Sequence, residues 1–253
     1  MPVRSLLNLV ANRQPRTCAI PNGRRIYAIG DIHGRLDLLD RLLDMIDADD
    51  AERGNAGTEL IFLGDLVDRG PDSRGVVDRL LALSRGPLPV RFLMGNHEEV
   101  FLLALQGDVR ALRFLIRIGG RETLLSYGLT DEQYRGLDFE GLAALMRTKV
   151  PQAHIDFLAG FEKWIEVGDY LFVHAGVRPG IAIAEQSTSD LYWIRDDFLK
   201  HRDSFDKMVV HGHSITEDID QRPNRIGIDT GAFASGRLTA IGLEKDERWF
   251  LST

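Results

Sequence analysis

Residues 25–34 read RIYAIGDIHG, a short apolar run that ends in a polar cluster flanked by glycines. The same order of features recurs at 60–70, LIFLGDLVDRG, and at 90–98, VRFLMGNHE. Between these runs, apolar residues repeat at helical spacing over residues 36–46 and 71–83. This alternation of strand, helix and strand predicts a parallel α/β sheet whose connections are short and right-handed.

The second half of the chain departs from this alternation. Residues 98–165 have helical character throughout, and we interpret them as a helical insertion. Strands resume afterwards, and their predicted positions are 170–173, 208–210, 225–228, 238–243 and 248–251. Because short turns separate the last three, we expect them to form an antiparallel end to a second sheet. The predicted organisation is an N-terminal arm at 1–24 followed by one domain at 25–253.

The composition of the chain argues against several classes of protein. Its 253 residues include 31 basic and 38 acidic side chains, a formal net charge of −7. Such a balance argues against a general binder of nucleic acid or of anionic membranes, so we expect neither partner. The single cysteine, Cys18, excludes an intramolecular disulfide framework and a cysteine-based zinc knuckle.

The N-terminal residues lack the pattern of a secretion signal. The apolar run at 6–10 is too short for the hydrophobic region of a signal peptide or for a membrane-spanning helix. We therefore expect a soluble, cytoplasmic protein. A mitochondrial presequence is the alternative, because Arg4, Arg13 and Arg16 occur in this region without acidic residues.

Five of the seven histidines fall in glycine-rich clusters that directly follow predicted strands. The five clusters are 30–34, 64–70, 95–98, 174–176 and 211–214. In open α/β sheets, ligands bind outside the carboxyl ends of the strands, so we expect the clusters to converge on one rim. Their glycines allow sharp turns and a close approach of the backbone to a ligand.

The side chains of these clusters are suited to binding metal ions. The candidate ligands are Asp31, His33, Asp65, Asn96, His174 and His213. Carboxylate, amide and imidazole groups without a thiolate suit Mn²⁺, Fe or Zn²⁺. A shared carboxylate such as Asp65 suits two ions about 3.5–4 Å apart, the arrangement used for in-line displacement at phosphorus. Each cluster alone is compatible with an ordinary turn, but their joint occurrence indicates a site.

The same clusters resemble the calcineurin-like metallophosphoesterase superfamily. Residues 68–70 (DRG) and 95–98 (GNHE) are similar to motifs of its phosphoprotein phosphatase branch, the Ser/Thr protein phosphatases. Within that branch the chain resembles the small bacterial and phage type, similar to lambda phosphatase. The resemblance spans about residues 25–243. It implies an α/β fold in which a β-sandwich is flanked by helices, in four αββα layers.

The resemblance also implies a binuclear metal centre. Its ligands would be Asp31 and His33 for the first ion, Asp65 for both ions, and Asn96, His174 and His213 for the second. The cofactors would be two divalent metal ions, with manganese as the first choice and Fe or Zn²⁺ as alternatives. A hydroxide bridging the two ions would then attack the phosphorus atom.

Four further residues have roles that the resemblance implies. His97 would act as general acid to the leaving oxygen, and Asp68 would orient it. Arg69 would bind the phosphate. Arg195 matches a second phosphate-contacting arginine of the small bacterial enzymes, and an exposed arginine on an amphipathic segment is the alternative interpretation.

Several positions depart from the branch or lie outside its site. Met94 stands where the branch has an arginine, so one phosphate-binding residue is missing from its usual place. Ser214 replaces the usual threonine and keeps the hydroxyl group. His211 is not a metal ligand in that branch. His154 and His201 lie on charged helical stretches, and we expect them to face solvent.

The sequence favours a hydrolase, and two substrates stay open. The leading hypothesis is a metal-dependent phosphomonoesterase, a Ser/Thr protein phosphatase that acts on a phosphorylated protein or a small phosphorylated substrate. The alternative is a symmetrical diadenosine tetraphosphate hydrolase. Asp68 and Glu98 favour the phosphatase, whereas Met94 favours the alternative. A non-enzymatic scaffold would predict a damaged ligand set, and a nuclease would predict a basic stripe; the sequence shows neither.

Overall fold

Two β-sheets packed face to face form the centre of the molecule. The computed structural model describes residues 17–253, so residues 1–16, most of the predicted N-terminal arm, lie outside the described part. Within the described residues each sheet has five strands, and helices cover the outer faces. The predicted α/β fold with four αββα layers is therefore confirmed.

The strands of both sheets are short. They are β1 Arg24–Ile29, β2 Gly57–Phe62, β3 Val90–Phe92, β4 Ile165–Val167, β5 Tyr170–Phe172, β6 Met208–His211, β7 Asp220–Gln221, β8 Arg225–Gly227, β9 Thr239–Glu244 and β10 Glu247–Ser252. The sheet orders are β10-β9-β1-β2-β3 and β4-β5-β6-β8-β7. Strands β1, β2 and β3 are parallel, and so are β5, β6 and β8. Each parallel set therefore brings its carboxyl ends to one edge of its sheet.

Helices connect the strands and form the outer layers. They are α1 Leu36–Arg53, α2 Ser73–Leu83, α3 Asn96–Leu105, α4 Val109–Ile118, α5 Gly120–Ser126, α6 Asp131–Gly136, α7 Phe139–Lys149, α8 Gln152–Ala159, α9 Thr188–Trp193, α10 Asp196–Leu199 and α11 Ala232–Ser235. Helices α3 to α8 occupy most of the region interpreted as a helical insertion. Across residues 17–253, none of the helices has the length and apolarity needed to cross a membrane.

The predicted grouping of the last three strands is wrong. Strand β8 belongs to the second sheet and runs parallel to β6, whereas β9 pairs antiparallel with β1 of the first sheet. Strand β10 then pairs with β9 at the outer edge. The reason is backbone pairing: β1 is buried and has β2 on one side only, so its other edge needs a hydrogen-bonding partner.

Alternate residues of the central strands point into different layers, as the pleat of a strand requires. Ile29 of β1 packs against the helices on the outer face of the first sheet, whereas its neighbour Ala28 lies between the sheets. In the second sheet, Phe172 lies between the sheets and Leu171 packs on the opposite, helical side. Apolar side chains from both sheets therefore pack against one another at the centre of this contact.

The residues just before β1 are part of this packing. Ile20 is buried among the side chains between the sheets, and its backbone N–H donates to the carbonyl of Lys245 at 2.8 Å. The N–H of Ala19 donates to the carboxylate of Asp169 at 3.0 Å. Residues 19 and 20 are thus fixed to both sheets.

Replacing Ile61 by alanine is expected to lower the free energy of unfolding by about 2–5 kcal/mol, because it leaves a cavity between the sheets. Urea denaturation measures the change. The control is Leu137→Ala, whose side chain is 41% exposed and which should change stability by about 0.5 kcal/mol or less. Equal effects of the two substitutions would contradict the face-to-face packing.

Candidate metal centre

The polar clusters predicted at the strand ends meet at one place in the structure. Asp31 and His33 follow β1, Asp65 follows β2, and Asn96 begins the helix after β3. The remaining candidate ligands, His174 and His213, follow β5 and β6 of the second sheet. All six side chains are buried. The site therefore lies on the seam between the sheets, and both sheets contribute ligands to it.

Asp65 is at the middle of this group. Its Oδ2 atom lies 3.5 Å from Nε2 of His33, and its Oδ1 atom lies 3.4 Å from Nε2 of His174. One carboxylate oxygen therefore faces the imidazole contributed by the first sheet and the other faces an imidazole from the second. This division is what a carboxylate shared by two ions requires. Although burial opposes ionisation, the surrounding imidazoles, His174 first, hold the pKa of Asp65 below its ordinary range.

Asn96 joins the two imidazoles of the second sheet. Its Oδ1 atom lies 2.9 Å from Nε2 of His174 and 2.8 Å from Nδ1 of His213. Burial lowers the pKa of both histidines, that of His213 to about 2, so both rings are neutral at pH 7. Neutral imidazole is the form that binds metal ions.

Asp31 is the sixth candidate ligand, and it follows a strand of the first sheet. Its Oδ2 atom accepts the backbone N–H of His213 at 2.9 Å, which ties the first sheet to the second. Burial, then the charges of Asp229 and Asp65, raise the pKa of Asp31 well above its ordinary value. Three carboxylates enclosed together are costly unless positive charge accompanies them.

The backbone of these clusters is strained. Among the described residues seven non-glycine residues have a positive φ angle, and five of them belong to the clusters: His33, Asp65, Asp68, Arg69 and His213. Each such residue costs of the order of 1–3 kcal/mol, and such strain persists only where the surrounding structure enforces it. Its concentration at one rim supports a functional site there.

The residues present fit divalent cations. Asp65 with His33 and His97, and Asp65 with His174 and His213, form two groups whose potential ligand atoms lie within 4.8 Å of one another. Within residues 17–253, Nε2 of His213 is buried without a hydrogen-bond partner. A buried acceptor of this kind is costly unless it binds a positive group. The donor set is oxygen and nitrogen only, as the sequence predicts.

His97 has a different environment from the other imidazoles. Its Nδ1 atom lies 2.7 Å from Oδ2 of Asp68, and the other oxygen of Asp68 accepts the hydroxyl of Thr123 at 2.6 Å. Burial acts to lower the pKa of His97, but the charge of Asp65 and the hydrogen bond to Asp68 outweigh it, so the pKa is raised. Its Nε2 atom faces Asp65 at 3.8 Å. Asp65 and Asp68 thus favour the charged form of His97, whose Nε2 atom faces the centre.

Arg69 reaches the same place. Its Nη2 atom lies 3.2 Å from Nε2 of His97. Its backbone N–H donates to the carbonyl of Gly119 at 2.9 Å, and a Cβ atom on Gly119 would lie 2.7 Å from Cγ of Arg69. The turn between α4 and α5 thus packs directly on Arg69, which requires glycine at position 119.

Arg195 and Met94 are placed differently from each other. Nη1 of Arg195 donates to Oγ of Ser214 at 3.3 Å, directly beside His213. Arg195 is exposed and adjoins the centre at Ser214, so both interpretations of this arginine stay open. Met94 is buried in the apolar cluster on the outer face of the second sheet.

Glu98 is a residue whose function the sequence did not reveal. Its buried carboxylate accepts four backbone N–H groups, those of Asp65, Leu66 and Val67 after β2 and that of Gly95 after β3, at 2.8 to 3.2 Å. Burial, then the charge of Asp65, raise the pKa of Glu98 to about 7. Glu98 therefore fixes the two loops that carry Asp65 and Asn96.

Asp229 is the second such residue. It is buried, it follows β8, and it accepts the N–H of Gly231 at 2.9 Å. Burial raises its pKa to about 6, and Asp65 adds to the effect. A signal was present in the sequence, because Asp229 stands between an apolar run and a glycine as the other clusters do. From the sequence, residues 228–231 are interpreted as a structural turn near the site, and the buried carboxylate of Asp229 goes beyond that interpretation.

The remaining histidines lie outside the centre. His211 is buried against Phe198, with ring centroids 5.0 Å apart, and lies 3.4 Å from Arg225. The expectation that His154 faces solvent is wrong: it is buried, and its two ring nitrogens contact the hydroxyl of Tyr127 at 3.0 Å and the carboxylate of Asp78 at 2.9 Å.

Comparison with known sequences agrees with this geometry. A sequence model of the calcineurin-like phosphoesterase family matches residues 24–235. The asymmetrical bis(5′-nucleosyl)-tetraphosphatase of Anoxybacillus flavithermus is 28% identical over 233 residues, covering 84% of this chain and 88% of that protein. A symmetrical bis(5′-nucleosyl)-tetraphosphatase of Neisseria gonorrhoeae is 27% identical over 271 residues, covering 87% and 93%.

Comparison with solved structures supports the fold. A chain described as a candidate diadenosine tetraphosphatase superposes with a TM-score of 0.63 at 21% identity, covering 93% of this chain and 98% of that chain. A metallophosphoesterase from Sphaerobacter thermophilus superposes with a TM-score of 0.51 at 17% identity, covering 90% and 88%.

Replacing Glu98 by glutamine is expected to destabilise the protein, because an amide NH₂ group would face backbone N–H donors. Each donor left without an acceptor costs about 1–3 kcal/mol, and urea denaturation measures the loss. The matched control is Glu99→Gln, since Glu99 accepts one bond, from Nε1 of Trp193, that a glutamine oxygen can also accept. Similar stability of both variants would contradict the role assigned to Glu98.

Proposed function

Because the chain belongs to the calcineurin-like phosphoesterase family, we propose that it hydrolyses a bis(5′-nucleosyl) tetraphosphate with two divalent cations bound at the candidate metal centre. The observation that carries the proposal is the extent of the similarity to bis(5′-nucleosyl)-tetraphosphatases. It covers 84% and 87% of this chain in the relatives from Anoxybacillus and Neisseria. The substrate favoured is therefore the alternative of the sequence analysis and not a phosphoprotein.

The buried polar side chains at the seam are the groups that would hold the cations. Asp31 and His33 would bind the first, Asp65 both, and Asn96, His174 and His213 the second. Manganese suits this oxygen and nitrogen set, and iron or zinc are the other candidates. When bound, such cations lower the pKa of water and offset the negative charge of phosphate.

The chain supplies binding and proton transfer around the cations. Arg69 and Arg195, on two sides of the centre, would bind the charged phosphate oxygens, because guanidinium groups match phosphate geometry. His97 would hold a proton at Nε2 for the leaving oxygen, and its contact with Asp68 fixes the ring and favours the charged form. Asp229 would be a positioning residue for Asp31.

One observation favours phosphomonoesters as a second candidate substrate class. Against the effect of burial, the charge of Asp65 and the 2.7 Å contact with Asp68 raise the pKa of the His97 imidazole, which favours the protonated form that a general acid needs. An acid of this kind is most useful for a serine or threonine alkoxide, a strongly basic leaving group. A nucleotide phosphate, with a pKa of about 6, leaves far more easily without a proton.

Purified protein with Mn²⁺ is expected to prefer diadenosine tetraphosphate in a panel that also contains a phosphoserine peptide, an aryl phosphate and a bis-ester at equal concentration. Values of kcat/KM measure the preference, and anion-exchange chromatography identifies the products. ADP alone means symmetrical cleavage, whereas ATP with AMP means asymmetrical cleavage. A higher kcat/KM for the phosphopeptide would overturn the proposal in favour of the phosphatase.

Replacing His97 by asparagine is expected to lower kcat for the phosphopeptide by about 10²–10⁴-fold, the usual contribution of a general acid. The loss for the dinucleotide should be smaller, because its leaving group is less basic. Bound metal, measured by atomic emission, should change little in this variant and should fall in Asp65→Asn. Parallel losses of metal and of turnover in His97→Asn would mean that His97 is a ligand.

A further inference from the structure

Phe233 lies at the edge of the candidate metal centre and has no role so far. Its half-buried ring is 5.5 Å from the ring of His33, with the two planes at 87°. The guanidinium carbon of Arg69 lies 4.8 Å from its centroid. An aromatic ring is therefore held directly beside one metal ligand and one phosphate-binding residue.

The position of Phe233 is fixed by its surroundings. It lies on α11, a short helix that begins after Gly231, whose φ angle is 69°. Nη1 of Arg35 donates to the carbonyl of Ala232 at 2.9 Å, and the same guanidinium group is paired with Asp37. The start of α1 thus fixes the residue that precedes Phe233.

A groove opens next to this ring. Its volume is about 700 Å³, and Phe233, Arg69, Arg35, Leu36 and Pro71 are among its lining residues. This volume is within the range of about 300–1,000 Å³ typical of small-molecule sites. Since Arg69 is common to the groove and to the centre, a molecule whose phosphate contacts Arg69 can extend into the groove. We call it the Phe233 groove.

Acidic side chains along the Phe233 groove indicate which chemical groups can bind there. Asp37, Asp40 and Asp72 also line it. Asp37 is paired with Arg35, Asp40 is paired with Arg79, and Asp72 accepts the N–H of Gly75. Each carboxylate keeps oxygen lone pairs that can accept hydrogen bonds from hydroxyl groups. The ring, the aliphatic side chains and the acceptors together suit an uncharged group that has an aromatic face and hydroxyl donors.

We propose that the Phe233 groove binds the nucleoside of the substrate, with the base stacked on Phe233 and the ribose hydroxyls near the carboxylates. This inference rests on the proposed function and extends it, because it assigns the part of the chain that would distinguish a nucleotide from other phosphate compounds. Phe233 is a specificity residue in this assignment. A base can stack on an aromatic side chain whatever its identity, so the groove selects nucleosides as a class.

The test compares AMP with ribose 5-phosphate as competitive inhibitors of aryl phosphate hydrolysis in the presence of Mn²⁺. The two inhibitors differ by the base, so the ratio of their inhibition constants reports base binding alone. In the unmodified protein AMP is expected to inhibit about tenfold more tightly or better, the usual contribution of one stacked base. Phe233→Ala should reduce the ratio to within about twofold, and Phe233→Trp should keep it.

The matched control is Phe139→Ala. Phe139 is also half-buried, and the guanidinium carbon of Arg113 lies 4.7 Å from its centroid, but it is not among the lining residues of the groove. The inhibition ratio should stay at its original value in this variant. Thermal melting of all three variants identifies any loss of the fold, and Phe233→Trp tests the stacking if the alanine variant does not fold.

The outcomes separate this inference from the proposed function. If Phe233→Ala removes the advantage of AMP while no dinucleotide is hydrolysed, the groove assignment stands and the proposed function falls. If dinucleotide is hydrolysed and the ratio is the same in Phe233→Ala, the groove assignment falls. A third outcome would overturn the inference and assign the groove to a peptide. In that case AMP and ribose 5-phosphate inhibit the unmodified protein equally, and Phe233→Ala weakens inhibition by a basic phosphopeptide.

Discussion

The arrangement of the rim depends on one buried carboxylate, that of Glu98. It accepts the backbone N–H groups of residues 65–67 and of Gly95, so the loops after β2 and β3 cannot move independently. The carbonyl of Asp65 in turn accepts the N–H groups of Ile32 and His33, and that of Leu66 accepts the N–H of Gly34. Three loops are therefore fixed by the polypeptide itself. The left-handed backbone at Asp65 is tolerated because these hydrogen bonds outweigh its strain.

The sequence pattern predicted where most strands lie, but not which strands pair with one another. Alternating strands and helices determine β1, β2 and β3, because parallel strands need a connection long enough to hold a helix. Nothing in the spacing of β8, β9 and β10 shows that the chain changes sheets after β8, since a turn to a neighbouring strand and a crossing to the other sheet can be equally short. Neither β4 nor β7 lies in an apolar run, because β4 has an acidic residue at its middle and β7 consists of two polar residues.

The same contrast applies to the candidate site. The six candidate ligands could be proposed from the sequence, because their side chains are typical metal ligands and their place at strand ends follows from the fold. They are Asp31, His33, Asp65, Asn96, His174 and His213. The role of Glu98 could not be predicted, because it depends on the backbone N–H groups around its carboxylate. For Asp229 the sequence favoured a structural turn near the site and gave no indication of its buried charge. His154 was misplaced for a related reason: its own helix is charged, but Tyr127 of another helix and Asp78 contact its ring.

The location of the centre on the seam has a thermodynamic consequence. Asp31, His33, Asp65 and Asn96 extend from the first sheet, whereas His174 and His213 extend from the second. Cations bound to all of them would bind only when the two sheets are together, so their binding free energy would add to the stability of the entire domain through mass action. Loss of the ions would then weaken the cooperativity between the sheets, and the catalytic groups would share one folding unit with the apolar core.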